Sequence, residues 1–96
     1  MARFVMLLNW TDQGIRAVKD TVKRAAQARQ LVEKSSGRVQ ECYWTLGAHD
    51  LVLTVEAPDD ETMTALAIKI SSMGNVKSTT MRAFTESEME KILQKV

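Results

Sequence analysis

The sequence predicts an α+β fold: a four-stranded antiparallel sheet with two helices on one face and a further helix at the C-terminus. Three observations predict it. Apolar runs that suit strands alternate with helical patterns in the order β-α-β-β-α-β. The first and third runs are apolar on both alternating sets of residues, which is typical of strands at the centre of a sheet. All four glycines and the single proline fall between predicted elements rather than inside them.

This element order is the split-βαβ, ferredoxin-like arrangement. In that arrangement the first and third strands are central, and the second and fourth form the edges of the sheet. The second and fourth runs carry charged residues such as Arg38, Lys77 and Arg82, which discourage edge-to-edge association. We therefore predict one domain of this fold over residues 1–96.

The first half of the chain predicts a strand over residues 3–10 and then one long amphipathic helix to about residue 36. Thr11 suits the N-cap position of that helix. Gly37 follows as the expected left-handed C-cap. The apolar residues that recur at helical spacing are Ile15, Val18, Val22, Ala25 and Val32.

The second half predicts strands over residues 38–46, 50–56 and 76–84. Residues 47–49 form a turn between the first two of these strands. Pro58 and Asp59 mark the start of a second helix, because proline ends the strand and aspartate caps the helix. Thr85 and Glu88 form a capping box that opens a last helix.

Composition excludes several classes of protein. The chain of 96 residues is 45% hydrophobic and 26% charged, which is typical of a folded domain and not of a disordered chain. Its formal net charge of +1 gives no overall field to recruit nucleic acid or an anionic membrane. The single cysteine, Cys42, allows no intrachain disulfide and fits a reducing compartment. The apolar stretch at residues 4–8 is too short to span a bilayer, so we predict a cytoplasmic protein.

The apolar pattern of the central strands predicts an assembly. Two helices cover only one face of a ferredoxin-like sheet, yet the first and third strands are apolar on both faces. An uncovered apolar sheet face would exceed the apolar patches found on most monomers. A second subunit packed sheet against sheet covers it most simply. We therefore expect a homodimer or a higher homo-oligomer, in the form of a dimeric α+β barrel.

Seven short segments in order along the chain carry a family resemblance. They are residues 11–15, 23–26, 43–47, 50–52, 58–60, 74–76 and 82–85. In this order and spacing they resemble the GYD domain family, small proteins of the dimeric α+β barrel type. The sequence departs from the family at one position, since His49 precedes Asp50 where the family usually has tyrosine. The resemblance implies the fold and the dimer and carries no activity with it.

The hairpin over residues 41–55 holds the candidate catalytic residues His49, Asp50 and Tyr43. The ordinary pKa of a histidine, near 6.5, suits proton transfer at neutral pH. Asp50 either orients His49 or caps the turn through its own backbone. The alternative is that His49 is a solvated turn residue in the place of the family's aromatic residue.

The candidate ligand-binding residues are Asn9, Tyr43, Trp44 and Thr54. Tyr43 and Trp44 are neighbours in a strand, so their side chains point to opposite faces of the sheet. Asn9 and Thr54 place polar atoms among apolar neighbours, which suggests a small amphipathic pocket. The alternative is that both aromatic side chains serve only core or interface packing.

No pattern predicts a metal or a cofactor. Cys42 and His49 have no partners at metal-ligand spacing, and no phosphate-binding glycine loop or nucleophile elbow is present. The third strand lacks the stacking aromatic residues of sheet-face RNA binders, so we expect no nucleic-acid partner. The first helix carries six basic and two acidic residues, which suit either phosphate binding or a solvated face.

These features support three hypotheses of different classes. The first is a small-molecule ligand-binding or regulatory module with a pocket between the two sheets of a dimer. The second is a cofactor-independent enzyme of the dimeric barrel kind, with His49 or Tyr43 as acid or base on an enolisable or aromatic substrate. The third is a structural assembly unit.

Overall fold

The computed structural model describes residues 1–96 and confirms the ferredoxin-like fold. Its four strands form one antiparallel sheet in the order β2-β3-β1-β4, so the predicted central and edge strands are correct. The strands are β1 (Ala2–Trp10), β2 (Arg38–Trp44), β3 (Leu51–Ala57) and β4 (Val76–Ala83). The helices are α1 (Asp12–Arg16), α2 (Thr21–Lys34), α3 (Asp60–Ser72) and α4 (Glu86–Leu93). None of them has both the length and the apolar content needed to cross a lipid bilayer.

The prediction of one continuous first helix is wrong. The helix breaks at Ala17, whose φ of −107° and ψ of 34° leave helical geometry, and a short 3-10 turn separates α1 from α2. Arg24 of α2 donates to the carbonyl oxygens of Ala17 at 2.9 Å and Gly14 at 3.1 Å. Its guanidinium therefore satisfies carbonyls at the end of α1. The apolar spacing continues across the break, so periodicity alone did not reveal it.

Two glycines are needed for close approach of the backbone. A Cβ atom at Gly14 would lie 1.9 Å from the carbonyl oxygen of Asn75, and one at Gly37 would lie 2.5 Å from that of Glu56. The left-handed residue after α2 is Ser36, with a φ of 64°, and not Gly37 as predicted. Gly37 is thus required for space rather than for its backbone angle.

The hydrophobic core lies between one face of the sheet and the helices α2 and α3. The strands contribute alternate residues to it, because side chains in a strand point to opposite faces in turn. The buried core residues are Phe4, Met6, Leu8, Val32, Val39, Leu51, Leu53, Val55, Ala57, Met63, Leu66 and Ile70.

The other face of the sheet, called the open face below, has no helix over it within the chain. Its residues lie in cross-strand rows that run from β2 to β4. Two neighbouring apolar residues lie in each of the two central rows, Val52 with Leu7 in the first and Val5 with Met81 in the second, and the β2 end of each row is polar. These rows are Tyr43, Val52, Leu7 and Thr79, and then Glu41, Thr54, Val5 and Met81. The next row is Arg38, Glu56, Arg3 and Ala83.

Helix α4 also lacks a partner within the chain. It begins with the predicted capping box of Thr85 and Glu88, has no buried residue and makes few contacts with the rest of the chain. Met89 is 44% exposed and Leu93 is 55% exposed. The radius of gyration is 14.2 Å, against about 12.5 Å for a compact domain of this length. The chain by itself therefore has two uncovered apolar surfaces, the open face and α4.

Candidate functional site

His49 lies at the end of the open face, where the amide of Asn9 orients it. The Asn9 Nδ2 donates to the carbonyl oxygen of Ala48 at 2.8 Å, which turns Oδ1 of Asn9 toward His49. That oxygen lies 2.9 Å from Nδ1 of His49. Since an amide oxygen only accepts, a neutral His49 carries its proton on Nδ1. Its Nε2 then offers a lone pair, as either a general base or a ligand acceptor requires.

Asp50 serves the backbone of β1. Its Oδ2 accepts the N–H of Trp10 at 2.9 Å, and its own N–H donates to the carbonyl oxygen of Leu8 at 2.8 Å. The pairing of β1 with β3 ends at Leu8 and Leu51. Asp50 therefore provides hydrogen-bond partners for backbone groups of β1 at the end of this pairing. The structure therefore ties the carboxylate to Trp10, while His49 takes its orientation from Asn9.

Thr45 fixes the backbone of the turn that carries His49. Its hydroxyl donates to the carbonyl oxygen of His49 at 2.6 Å, and its N–H donates to the carbonyl oxygen of Asp50 at 2.9 Å. Gly47 has a φ of 126°, a conformation that side chains rarely allow. The turn is thus closed by local hydrogen bonds, and it presents His49 from a fixed backbone.

Tyr43 lies on the open face as a hydrogen-bond donor. Its hydroxyl donates to Oε2 of Glu41 at 2.9 Å, and the hydroxyl of Thr54 donates to Oε1 of the same carboxylate at 3.4 Å. The bond to Glu41, together with the negative charge of that carboxylate, raises the pKa of Tyr43 above its ordinary value. A phenol with a raised pKa stays protonated at neutral pH. Tyr43 is therefore suited to hold a ligand and poorly suited to act as a base.

Trp44 lies on the opposite face from the other three predicted ligand-binding residues. Its position in β2 pairs with Leu51, whose side chain is buried in the core. The indole Nε1 donates to Oγ1 of Thr21 in α2 at 3.0 Å. The structure thus brings Asn9, Tyr43 and Thr54 to the open face and places Trp44 beside α2.

The open face forms no enclosed pocket within one chain. The backbones of Tyr43 and Asn9 lie about 12 Å apart, from two strand spacings and two residue steps. The two main cavities lie on the helix side: one of about 60 Å³ between α2, α3 and the sheet, and a groove of about 420 Å³ beside β4. A pocket at Tyr43 and His49 therefore needs a second surface to close it.

Cys42 is half-buried on the helix-facing side of β2. Burial raises the pKa of its thiol, and the positive charge of Arg29 partly offsets this effect. A thiol with a raised pKa is a poor nucleophile at neutral pH. No group of three or more His, Cys, Asp or Glu side chains is placed to hold a metal ion.

Sequence reasoning missed two residues of this site. Glu41 holds Tyr43, and the signal was present, since residues two apart in a strand share a face. Nothing in the sequence indicated that Asp50 accepts a hydrogen bond from the main-chain N–H of Trp10, because the two residues are 40 positions apart.

Comparison with known proteins identifies the family. The family model of the GYD domain matches residues 4–93. A relative from Thermus thermophilus, named "Glutamine synthetase and cystathionine beta-lyase binding protein", is 31% identical over 90 residues. The match covers 93% of this chain and 95% of the relative.

Solved structures show the same fold at low sequence identity. Mycobacterial AldR superposes with a TM-score of 0.68 at 17% identity, covering 88% of this chain and 52% of AldR. A feast or famine regulatory protein from M. tuberculosis, complexed with L-methionine, superposes with a TM-score of 0.60 at 18% identity. The match covers 88% of this chain and 51% of that protein. A protein from Thermus thermophilus superposes with a TM-score of 0.57 at 22% identity, covering 88% of this chain and 95% of that protein. The chain thus spans about half the length of the first regulators it matches. With the family model matching nearly the whole chain, the protein belongs to the GYD domain family.

Proposed function

We propose that this protein is a regulatory module that binds a small molecule between the open faces of a homodimer. The observation that carries the proposal is the open face itself. Its apolar centre of Val5, Leu7 and Val52 is flanked by the hydroxyl of Tyr43 and the imidazole of His49, and nothing in the chain covers it. An apolar surface with a few fixed polar groups is typical of the walls of small-molecule sites, and a second copy would close it into a pocket.

The size of the uncovered surface supports a second copy as the cover. Four strands of about eight residues span roughly 19 by 26 Å, or about 500 Å² of flat sheet. A stable interface buries about 800 Å² on each partner. The open face alone falls short of that area, and the apolar side of α4 supplies more. Both surfaces therefore belong to the proposed interface, which lies within reach of the usual size.

The polar groups of the open face define the ligand. Nε2 of His49 accepts a hydrogen bond, and the carboxylate of Glu41, held by Tyr43 and Thr54, accepts from a donor or a cation. A ligand that fits carries hydrogen-bond donors and a short apolar part. The mycobacterial protein complexed with L-methionine supports this proposal, because it shows a fold of this kind together with a small amphipathic molecule. We place the module in the cytoplasm, where the thiol of Cys42 stays reduced.

Native mass spectrometry of the purified protein tests the dimer and the ligand together. We expect a dimer that retains a small molecule or takes one up from a panel of amino acids and other metabolites. Met81→Glu puts a charge on the open face, next to Val5 of its apolar centre, and should give a monomer. Ile68→Glu, which changes an exposed apolar residue of α3 on the helix side, should leave the dimer intact. A dimer that takes up no small molecule would contradict the pocket.

The enzymatic alternative rests on His49, because the raised pKa of Tyr43 removes the second candidate base. His49→Ala with Asn9→Ala as a matched variant tests the role of the pair. Both variants should keep the dimer and lose ligand affinity by about tenfold, as expected when a good hydrogen bond is removed. Turnover of a bound metabolite by the wild-type protein, abolished in His49→Ala, would instead favour an enzyme.

We further propose that the module acts by binding an enzyme. The name of the relative at 31% identity, a binding protein for glutamine synthetase and cystathionine β-lyase, favours this second function. Surface plasmon resonance with these two enzymes from the same organism tests it. Binding of either enzyme supports the proposal, and binding of neither contradicts it.

A further inference from the structure

We propose that the enzyme partner binds at one end of the helix side, through a surface that recognises an acidic protein surface with an apolar pocket. We call this the hairpin-end surface. It rests on the enzyme binding proposed above and names the residues that carry it. Its residues are Val22, Trp44 and Leu46, with Lys19, Lys23 and Arg29 around them.

The apolar part of the hairpin-end surface is exposed and held in place. Val22 is 66% exposed and Trp44 is 41% exposed, although both are large apolar side chains. The hydrogen bond from Nε1 of Trp44 to Thr21 fixes the ring against α2. Binding a partner therefore costs little side-chain conformational entropy at Trp44. Tryptophan is among the residues that most often dominate binding energy at protein interfaces.

Leu46 projects from the tip of the hairpin between β2 and β3. Its side chain is fully exposed, and nothing lies within 4 Å of the Cβ position at the neighbouring Gly47. The hydrogen bonds of Thr45 to His49 and Asp50 hold the base of this tip. A leucine with no contact in its own chain does nothing for the fold, but it suits a pocket on a partner.

The basic residues of this surface lie in a segment of the chain with a net positive charge. From residue 16 to residue 34 the chain has six basic and two acidic residues, and the remainder has seven basic and ten acidic. Lys19, Lys23 and Arg29 are exposed and belong to neither of the two ion pairs, Arg38–Glu56 and Arg82–Asp60. Burial raises the pKa of Cys42 in β2, and Arg29 lies close enough to offset part of that rise, so the positive charge borders the edge strand. An acidic partner surface is the complement of this charge.

The hairpin-end surface and the open face lie on opposite sides of the sheet. Trp44 points toward α2, whereas its neighbour Tyr43 points to the open face. A dimer joined through the open faces therefore leaves two copies of the hairpin-end surface exposed. The two copies can bind two subunits of an oligomeric enzyme at once. Such bivalent binding gives a higher apparent affinity than one surface alone, with no new kind of contact.

The test measures the Kd of wild type and variants for glutamine synthetase and cystathionine β-lyase by surface plasmon resonance. Leu46→Asp and Trp44→Ala should each raise the Kd more than about tenfold, as for central interface residues. Ile68→Asp is the matched control, because it changes an exposed apolar residue of α3 and should leave the Kd unchanged.

A second pair of variants tests the charge. Lys19→Glu combined with Lys23→Glu should raise the Kd by about tenfold at low salt, and the difference should shrink near 0.5 M salt. Lys69→Glu, an exposed lysine of α3, is the control with no change expected. Circular dichroism checks that each variant is folded, and Leu46→Asp removes no contact on which folding depends.

The outcomes separate this inference from the proposed function. Wild-type binding that the Leu46, Trp44 and lysine variants leave unchanged would overturn the hairpin-end surface while enzyme binding stands. Binding of neither enzyme would overturn both. A duplex DNA probe bound through Lys19 and Lys23, with enzyme binding unaffected by their reversal, would assign the charge to nucleic acid and overturn the acidic partner.

Discussion

At the scale of single residues, the Asn9 amide decides what His49 offers to a ligand. Because Ala48 provides only an acceptor, the amide has one orientation, and the proton of a neutral His49 is fixed on Nδ1. The open-face chemistry is thus a lone pair at His49 and a carboxylate at Glu41. Tyr43 supports that carboxylate rather than supplying a base.

The ionisation of Tyr43 is directly measurable, because it is the only tyrosine in the chain. Absorbance near 295 nm during a pH titration should show a pKa above the ordinary value of about 10. Glu41→Gln removes the charge that disfavours the phenolate and should bring the pKa back down. Since the pKa is raised, the stabilisation by this bond is present below the ordinary pKa and is lost as pH rises through the folded value. An unchanged titration in Glu41→Gln would show that the bond to Glu41 has no effect.

Asp50 should contribute to stability through the main chain of β1. Asp50→Ala leaves the N–H of Trp10 without a partner and should lower the free energy of unfolding by about 2 kcal/mol. Asp20→Ala is a suitable control, since Asp20 makes no capping hydrogen bond, and should change it by less than about 0.5 kcal/mol. Urea unfolding at one fixed protein concentration measures both. Equal effects would argue against the bond to Trp10.

At the scale of elements, side-chain caps fix where the helices begin. The side chains of Thr11, Asp59 and Thr85 each accept a hydrogen bond from the N–H of the third residue after them. The carboxylate of Glu88 also accepts one from the N–H of Thr85. These caps satisfy donors that a helix leaves free at its start. For α4 the cap is decisive, because a helix of eight residues has little stability of its own in water.

The cap of α3 predicts a pH dependence. The N–H of Thr62 donates to the carboxylate of Asp59 at 2.7 Å and holds the pKa of that carboxyl below its ordinary value. Its stabilisation is therefore present above the ordinary pKa near 4 and is lost as pH falls through the lower folded value. Asp59→Ala should lower the Tm at pH 7 and have a much smaller effect near pH 2. Glu61→Ala, which removes an acid without a capping bond, should show no comparable difference between the two pH values.

At the scale of the whole molecule, the uncovered surfaces of the chain support the proposed association. One face of the sheet and one side of α4 are apolar and uncovered, and the helix side alone holds a packed core. In the proposed assembly, the dimer interface and the ligand pocket share the open face, and the enzyme-binding surface lies on the helix side of the sheet.

A charge on the apolar side of α4 should weaken the dimer without unfolding the chain. Leu93→Glu changes a side chain that is 55% exposed, so the cost to the isolated chain is small, whereas an interface would lose apolar area and gain a buried charge. Sedimentation velocity should show a shift from dimer to monomer at micromolar concentration. Gln94→Glu on the same helix should sediment like wild type. If both variants remain dimers, α4 lies outside the interface.

The sequence by itself determined the strand order, the N-caps of the helices and the apolar character of the second sheet face, because these follow from the order of the elements and from local residue patterns. Only the tertiary structure decided which face each aromatic residue of β2 occupies. Alternation from the buried Val39 would place Tyr43 in the core. A bulge at Gln40 shifts the register by one residue, which turns Tyr43 to the open face and Trp44 toward α2. A bulge depends on the pairing of β2 with β3, which the residue pattern within β2 alone does not show.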